Sequence, residues 1–143
     1  MASIERSRTI PAQPEQVWAA LAALDEISGW ASNVDHSSYL TERSEGVGAV
    51  RRVQAGDLTL VERMVDWDPQ VALAYEIEGL PLVESAVSRW ELTPSGEGTA
   101  VSITTIVERA SGLAGSLSAL IIRRKLAQGS EDMLAGLECS LGA

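Results

Sequence analysis

Glu62 is the residue whose surroundings in the sequence most strongly suggest chemistry. It lies in an alternating segment, residues 57–67, in which every second side chain around it is leucine or methionine. A carboxylate among such side chains is costly unless a cation or hydrogen-bond donors compensate it. Arg51 and Tyr75, one in each neighbouring segment, could supply both. A carboxyl, a guanidinium and a phenol in one place can form a buried ion pair, orient a ligand or transfer a proton.

Two turn signals separate these three segments, Ala-Gly at 55–56 and Asp-Pro at 68–69. If both are hairpin loops, they fix which residues of adjacent strands are paired. The pairs predicted in this way are Arg51 with Leu60, Leu60 with Ile77, and Glu62 with Tyr75. Arg51 then lies on the diagonal from Glu62, a separation that long side chains can span.

The same alternation divides the predicted sheet into two faces, because successive side chains of a strand point to opposite sides. A third turn, at 94–98, places Leu92 near Val101 and Trp90 near Ile103. The predicted inner face carries Leu58, Leu60, Glu62, Met64, Leu73, Tyr75, Ile77, Trp90, Leu92, Val101, Ile103, Thr105 and Val107. The predicted outer face carries Thr59, Arg63, Ala72, Ala74, Glu76, Glu78, Arg89, Glu91, Ser102, Thr104 and Glu108. Val61, Val65 and Ile106 are apolar residues that this division does not place.

Glu62 therefore has several interpretations at this stage. It can be a structural carboxylate satisfied by Arg51, or one near the sheet rim that reaches water. It can also be a polar anchor that orients a ligand inside a mostly apolar cavity. Acid–base catalysis by Glu62 with Tyr75 is a further alternative, which would be favoured by burial of the carboxyl and opposed by the nearby Arg51 charge.

Other kinds of chemistry find little support in the sequence. His36 is the single histidine and Cys139 the single cysteine, so neither a Cys-based metal site nor a Ser-His-Asp triad is indicated. The sequence Gly46-Val47-Gly48 lacks the third glycine of a dinucleotide fingerprint and is typical of a bend before a strand. We predict no catalytic residue, no metal ligand and no cofactor.

Length and charge limit the class of protein. The 143 residues predict one domain, 1–143, that is large enough to bury a core. A formal net charge of −9 argues against nucleic-acid binding, because phosphate contacts need a basic surface. No run approaches the ~18 apolar residues of a membrane span. The charged start MASIERSRTI does not fit a signal peptide, so we expect a cytoplasmic protein. The oligomeric state is left open.

A long amphipathic segment, residues 112–141, predicts a C-terminal helix. Before it, the pattern gives a strand at 4–10, a helix opened by residues 12–18 with Pro14 in its first turn, a second short helical turn leading into Trp30, and about six strands between 34 and 109. Residues 34–43 are the part whose facing the pattern does not define. This order predicts an α+β fold with an antiparallel sheet and helices on one face. Trp18 and Trp67 are expected to pack the core. Trp30 and Trp90 are the two tryptophans placed nearest a cavity, with core packing as the favoured role of each.

The whole chain resembles the START-like superfamily, also called Bet v 1-like or SRPBCC, and within it the polyketide cyclase/dehydrase and lipid-transport branch. The resemblance depends on the order and spacing of IPAQPEQVWAAL, ISGWASNV, EGVGAVRRV, LVERMVDWDP, VALAYEI, SRWELTPSGEGTAVSI and LAGLECSL. It implies a helix-grip fold, in which a curved antiparallel sheet of about six or seven strands wraps around the long C-terminal helix. Two short helices follow the first strand.

The resemblance also implies a cavity between sheet and helix, where family members hold apolar molecules. We therefore expect binding or carriage of a hydrophobic small molecule such as a lipid, sterol or polyketide. A polyketide cyclase or dehydratase using Glu62, Tyr75 and Arg51, and a partner-binding protein, are the alternatives. The expected ligand-binding residues are Trp30, Arg51, Leu60, Glu62, Tyr75, Ile77, Trp90, Ile103, Thr105, Leu117, Leu120 and Ile121.

Overall fold

The computed structural model of the chain describes residues 2–81, 83–110 and 117–142. Its strands are β1 (Ala2–Ile10), β2 (His36–Tyr39), β3 (Val50–Ala55), β4 (Leu58–Asp68), β5 (Ala72–Glu78), β6 (Val83–Ser95) and β7 (Gly98–Ala110). Its helices are α1 (Pro14–Ala22), α2 (Ile27–Trp30) and α3 (Leu117–Gly142), with a 3-10 turn at Leu24–Glu26 between α1 and α2.

The seven strands form one antiparallel sheet in the order β1-β7-β6-β5-β4-β3-β2. Strands β2 to β7 follow one another as neighbours, and β1 pairs with β7 along its whole length. The short helices leave β1 and return the chain to β2 at the opposite edge. The curved sheet and the long α3 form the predicted α+β helix-grip fold, with seven strands and two short helices after the first strand. Within the described residues, no helix is long and apolar enough to cross a membrane.

Two of the hairpins close through glycine at the first position of a two-residue turn. Ala55 pairs with Leu58, and Ser95 pairs with Gly98, so that Gly56 and Gly96 begin the two turns. Their φ angles are 58° and 59°. A positive φ at the first turn position is the geometry of the type II′ hairpin, which glycine adopts without steric cost.

The predicted registers were wrong for two hairpins and right for the third. Glu62 pairs with Arg51 and Ile77, while Tyr75 pairs with Met64. The first loop is 56–57, one residue further along the chain than predicted, and the second has three residues, 69–71, with a further shift in register between Met64 and Asp66. Each partner is therefore displaced by two residues, and a displacement of two keeps every side chain on its predicted face. In the third hairpin Trp90 pairs with Ile103 as predicted, and so does Leu92 with Val101.

A β-bulge explains one of the apolar residues that the alternation did not place. The register of β4 against β5 shifts between Met64 and Asp66, which leaves Val65 as the extra residue. The bulge also returns Trp67 to the inner face, opposite Leu73, because it inserts one residue into the alternation.

The inner face is buried as the alternation predicted, except that Leu58 and Leu60, at the start of β4, are only partly buried. Two outer-face alanines are also buried. Over one of them, Ala74, the side chain of Arg89 on β6 reaches Asp66 on β4 in a 2.6 Å ion pair. Long charged side chains on the neighbouring strands thus cover a small side chain on the strand between them.

Helix α3 is held to the rest of the fold mainly by its second half. The side chains of Leu134 and Leu137 are fully buried, whereas Leu120 and Ile121 near the start of the helix are about half exposed. The helix predicted from residue 112 is observed from Leu117, and residues 112–116 lie outside the described part of the chain.

Four tryptophans pack in two edge-to-face pairs. Trp18 contacts Trp67 with ring centroids 5.2 Å apart, and Trp30 contacts Trp90 at 6.0 Å. Because α1 carries Trp18 and α2 carries Trp30, each short helix is fixed to the inner face of the sheet by one aromatic contact.

The close approach of α3 to the end of α2 generates a first prediction. A Cβ at Gly136 would collide with the backbone carbonyl oxygen of Trp30. We expect Gly136→Ala to lower the free energy of unfolding by about 1–3 kcal/mol through overpacking, although alanine favours the helix by ~1 kcal/mol. Urea unfolding followed by tryptophan fluorescence measures the change.

Gly29 in α2 is the matched control, because a Cβ at this position has no heavy atom within 4 Å. Gly29→Ala is expected to leave stability unchanged or to raise it by up to ~1 kcal/mol. Equal effects of the two substitutions would show that helix propensity, and not the contact with Trp30, determines the result.

Candidate functional site

A cavity of about 600 Å³ lies between the inner face of the sheet and the first half of α3. Its wall is mostly apolar and is formed by α2, strands β3 to β7, the loop after β5, and α3. The lining side chains are Ile27, Asn33, Val34, Val53, Ala55, Asp57, Leu58, Leu60, Glu62, Tyr75, Ile77, Leu80, Pro81, Ser88, Thr105, Ile121, Ile122, Lys125, Leu126, Gly129, Ser130 and Met133.

The buried pair of Arg51 and Glu62 is the most strongly charged feature beside this cavity. The guanidinium Nε donates to Glu62 Oε1 at 2.7 Å, and Nη1 donates to the carbonyl oxygen of Leu24 at 3.3 Å. Arg51 and Glu62 are 3% and 5% exposed, and only Glu62 belongs to the cavity wall. Burial lowers the pKa of Arg51, but attraction by Glu62 and Tyr75 outweighs burial, and the pKa is raised. The guanidinium of Arg51 therefore stays charged, and Glu62 is the member of the pair that contributes to the cavity wall.

Tyr75 joins this pair to the aromatic core. Its ring lies under the Arg51 guanidinium, with Cζ 4.9 Å from the ring centroid. Its hydroxyl accepts a hydrogen bond of 3.1 Å from Nε1 of Trp90. Burial, together with repulsion by the charge of Glu62, raises the pKa of Tyr75 to about 12. The phenol is therefore neutral and able to donate its proton at any physiological pH.

A pair of hydroxyls continues the polar part of the wall. Ser88 and Thr105 lie opposite each other on β6 and β7, and their oxygens are 2.7 Å apart in a buried hydrogen bond. Ser88 is also the direct cross-strand partner of Tyr75 on β5. These three residues form one row across the sheet.

The residues that the sequence marked for a ligand site fall into four groups. Six contribute to the cavity wall: Leu60, Glu62, Tyr75, Ile77, Thr105 and Ile121. Four pack behind or beside that wall: Trp30, Arg51, Trp90 and Ile103. Leu120 is 47% exposed and outside the wall, and the side chain of Leu117 is outside the described part of the chain. Arg51, Trp30 and Trp90 are thus placed to support lining residues.

Sequence reasoning missed several lining residues. Ser88 was detectable, because it alternates with Trp90 on the same face of β6. Ile27 is the first residue of α2, Val34 follows that helix, and Val53 is on β3. For these residues, the packing of one element on another decides which side chain contributes to the cavity wall. No local pattern in the sequence indicates that these side chains line the cavity.

The single histidine and the single cysteine take no part in this site. His36 is exposed at the start of β2, and Cys139 is exposed on α3. Among the described residues, no three His, Cys, Asp or Glu side chains are grouped in a way that could hold a metal ion.

Comparison with models of protein families matches residues 1–142 to the family described as polyketide cyclase / dehydrase and lipid transport. Comparison with curated protein sequences gives no match.

Solved structures share the fold at low sequence identity. Ara h 8.0201 is 17% identical with a TM-score of 0.79, and the alignment covers 97% of this chain and 96% of that one. A protein of Thermus thermophilus is 24% identical with a TM-score of 0.80, with 96% and 94% covered. DynU16, from the dynemicin biosynthetic locus, is 20% identical with a TM-score of 0.71, and this chain covers 45% of its length. At these identities the likeness establishes the fold.

The buried ion pair generates a second prediction. Glu62→Gln leaves the guanidinium of Arg51 buried without a counter-charge, and we expect a loss of about 3–5 kcal/mol in the free energy of unfolding. The double substitution Arg51→Met with Glu62→Leu removes both charges and is expected to cost much less than the single one. Urea unfolding midpoints at neutral pH measure both.

Arg89→Met is the control for this series, since its ion pair with Asp66 is on the surface. Its expected cost is at most ~1 kcal/mol. If the double variant is no more stable than Glu62→Gln, the uncompensated charge is not the cause of the loss.

Tyr75 generates a third prediction, which concerns alkaline pH. Its pKa is about 12 in the folded protein and 10.0 when unperturbed, so the unfolded chain releases the proton first. The stability that depends on neutral Tyr75 is complete below pH ~10 and decreases between pH ~10 and ~12, by on the order of 2–3 kcal/mol. Unfolding midpoints over this range should fall for the native protein. Tyr75→Phe, although less stable at pH 8, should show a flatter slope; an unchanged slope would contradict the assignment to Tyr75.

Proposed function

The chain belongs to the polyketide cyclase/dehydrase and lipid-transport family, and from this premise we propose that it binds and carries a hydrophobic small molecule in the cavity under α3. The observation that carries the proposal is the wall of this cavity. About 600 Å³ of space is enclosed mainly by aliphatic side chains, with a few polar groups grouped on the sheet. Volumes of ~300–1,000 Å³ with such a lining are typical of small-molecule sites.

The polar groups support the proposal because they are fixed before any ligand arrives. Glu62 is held by Arg51, Tyr75 by Trp90, and Ser88 by Thr105. Groups held in this way lose little conformational freedom on binding, so they can orient a ligand at low entropic cost. The aliphatic wall then contributes affinity in proportion to the apolar area that the ligand removes from water.

The route into the cavity is proposed to pass beside the first half of α3. Ile121 and Lys125 of the helix and Leu80 with Pro81 of the loop after β5 contribute to the wall, and three of these four are exposed. In contrast, the second half of α3 is fixed by the buried Leu134 and Leu137. A small displacement of the loosely held end would admit a ligand and leave the core packed.

Cyclisation or dehydration of a polyketide is the second candidate, and it is favoured by one observation. Glu62 and Tyr75 both contribute to the cavity wall, so a proton acceptor and a proton donor face the same bound molecule. Glu62 would remove a proton next to a ketone while the Tyr75 hydroxyl donates a hydrogen bond to its oxygen. The mass of the bound molecule distinguishes the two functions, because a carrier returns it unchanged and an enzyme returns it cyclised or with one water fewer.

Filling the cavity tests the proposed binding. Leu60 is partly buried in the wall, and Leu60→Trp adds the volume of an indole to the space a ligand would occupy. We expect binding of N-phenyl-1-naphthylamine, an uncharged probe followed by its fluorescence, to weaken roughly tenfold or more, because tenfold corresponds to a loss of only ~1.4 kcal/mol. Native mass spectrometry of the purified protein should show less co-purified ligand.

The matched control is Leu40→Trp, the same change at a residue that is 53% exposed and outside the cavity wall. This variant is expected to bind as the native protein does. Equal loss of binding in both variants, or full binding by Leu60→Trp, would place the bound molecule outside the cavity.

A further inference from the structure

Four polar residues of the cavity wall lie on the sheet, and we refer to these four, Glu62, Tyr75, Ser88 and Thr105, as the polar floor. Tyr75, Ser88 and Thr105 are directly paired across β5, β6 and β7. Glu62 lies on the adjacent strand, two residues before the partner of Tyr75. All four are at most 5% exposed, so a ligand that reaches them leaves bulk water completely.

Two of the O–H groups of the polar floor have no hydrogen-bond acceptor among the described residues. A single hydrogen bond joins Ser88 to Thr105, so one of their two O–H groups has no acceptor among the described residues. The oxygen of Tyr75 accepts from Trp90, and among the described residues its own proton has no acceptor either. Two buried O–H donors therefore face the cavity, and a buried donor without an acceptor is costly.

The charge that faces the cavity is negative. Glu62 belongs to the wall, whereas its partner Arg51 lies behind it, held by Glu62, the Leu24 carbonyl and the Tyr75 ring. The other charged residues of the wall are Asp57 and Lys125, both exposed. An anionic ligand group placed against the polar floor would therefore lie beside the carboxylate of Glu62, and Arg51 would already be paired with that carboxylate.

We propose that the polar floor selects an apolar ligand carrying an uncharged hydroxyl, an alcohol or a phenol, and discriminates against a carboxylate. This inference rests on the proposed binding function and adds the class of ligand. A hydroxyl donates one hydrogen bond and accepts others, so it can donate to Glu62 and accept from Tyr75 or from the Ser88–Thr105 pair. A carboxylate only accepts, and its charge would be repelled by Glu62 at a site without water to screen it.

Asn33, a residue of the cavity wall outside the sheet, is consistent with this proposal. Its Oδ1 is buried and has no hydrogen-bond partner among the described residues. This oxygen is an acceptor, like Glu62, so a second hydroxyl on the same ligand would satisfy it. The wall therefore offers buried acceptors that a hydroxyl can satisfy and a carboxylate cannot.

Three ligands of one chain length test the selection: dodecan-1-ol, dodecyl methyl ether and dodecanoate. Titration at pH 8 is followed by tryptophan fluorescence, because Trp90 is hydrogen-bonded to Tyr75 in the wall. We expect dodecan-1-ol to bind at least roughly tenfold more tightly than dodecanoate, since a site built to hydrogen-bond a hydroxyl rejects analogues that cannot reproduce those bonds. The ether, which can accept but cannot donate, should bind less tightly than the alcohol.

Two variants connect the preference to the polar floor. Ser88→Ala combined with Thr105→Val removes both hydroxyls of the pair, and with them its spare donor, and should weaken dodecan-1-ol binding by roughly fivefold. Thr104→Val, at the residue next to Thr105 but on the outer face, should leave binding unchanged. The double substitution Arg51→Met with Glu62→Leu removes both charges together and should reduce the ratio of the two dissociation constants, acid over alcohol, by at least about threefold.

The possible results test the hydroxyl selection and the proposed binding function separately. Dodecanoate binding as tightly as dodecan-1-ol, or more tightly, overturns the hydroxyl selection and leaves the binding function standing. A preference for the alcohol that is as large in the charge-free double variant as in the native protein also overturns it, because the carboxylate of Glu62 would then not be a cause. Absence of binding by all three ligands overturns both the inference and the proposed function.

Discussion

The buried ion pair between Arg51 and Glu62 is the interaction on which the rest of the site depends. A charge can be kept inside the sheet only if an opposite charge and further hydrogen bonds compensate it. Arg51 meets this requirement by joining three elements: it contacts Glu62 on β4, the Leu24 carbonyl before α2, and the ring of Tyr75 on β5. The pair therefore fixes α2 against the sheet and leaves its negative member beside the cavity.

The cavity follows from how α3 is attached. Its second half is packed by Leu134 and Leu137, and Gly136 allows the helix backbone to approach the end of α2. Its first half lies over the polar floor, where aliphatic side chains of the helix cannot satisfy a carboxylate and three hydroxyls. Close packing there would leave the spare O–H donors of the polar floor buried without acceptors, which is costly. The same donors are available to a ligand.

Much of the fold was predictable from residue patterns, but the cross-strand partners in two hairpins were not. Alternation assigned Tyr75, Trp90 and Ile103 to the inner face, and all three are buried. The cross-strand partners of Glu62 were wrong by two residues, because the turns at 56–57 and 69–71 are set by backbone geometry that the sequence only suggests. A register shift of two residues leaves each side chain on its predicted face of the sheet, because the side-chain period of a strand is two. The same shift changes which residues are in contact across the strands.

The sequence by itself determined the order of the elements, the inner face of the sheet and the presence of a carboxylate on that face, because these depend on local periodicity and turn residues. Only the tertiary structure decided that Arg51 lies behind Glu62, that Ser88 joins the polar floor, and that α3 covers the cavity with its loosely packed half. Those features depend on how separate elements approach one another in three dimensions. That approach is set by the summed packing of the whole core, which no single stretch of sequence contains.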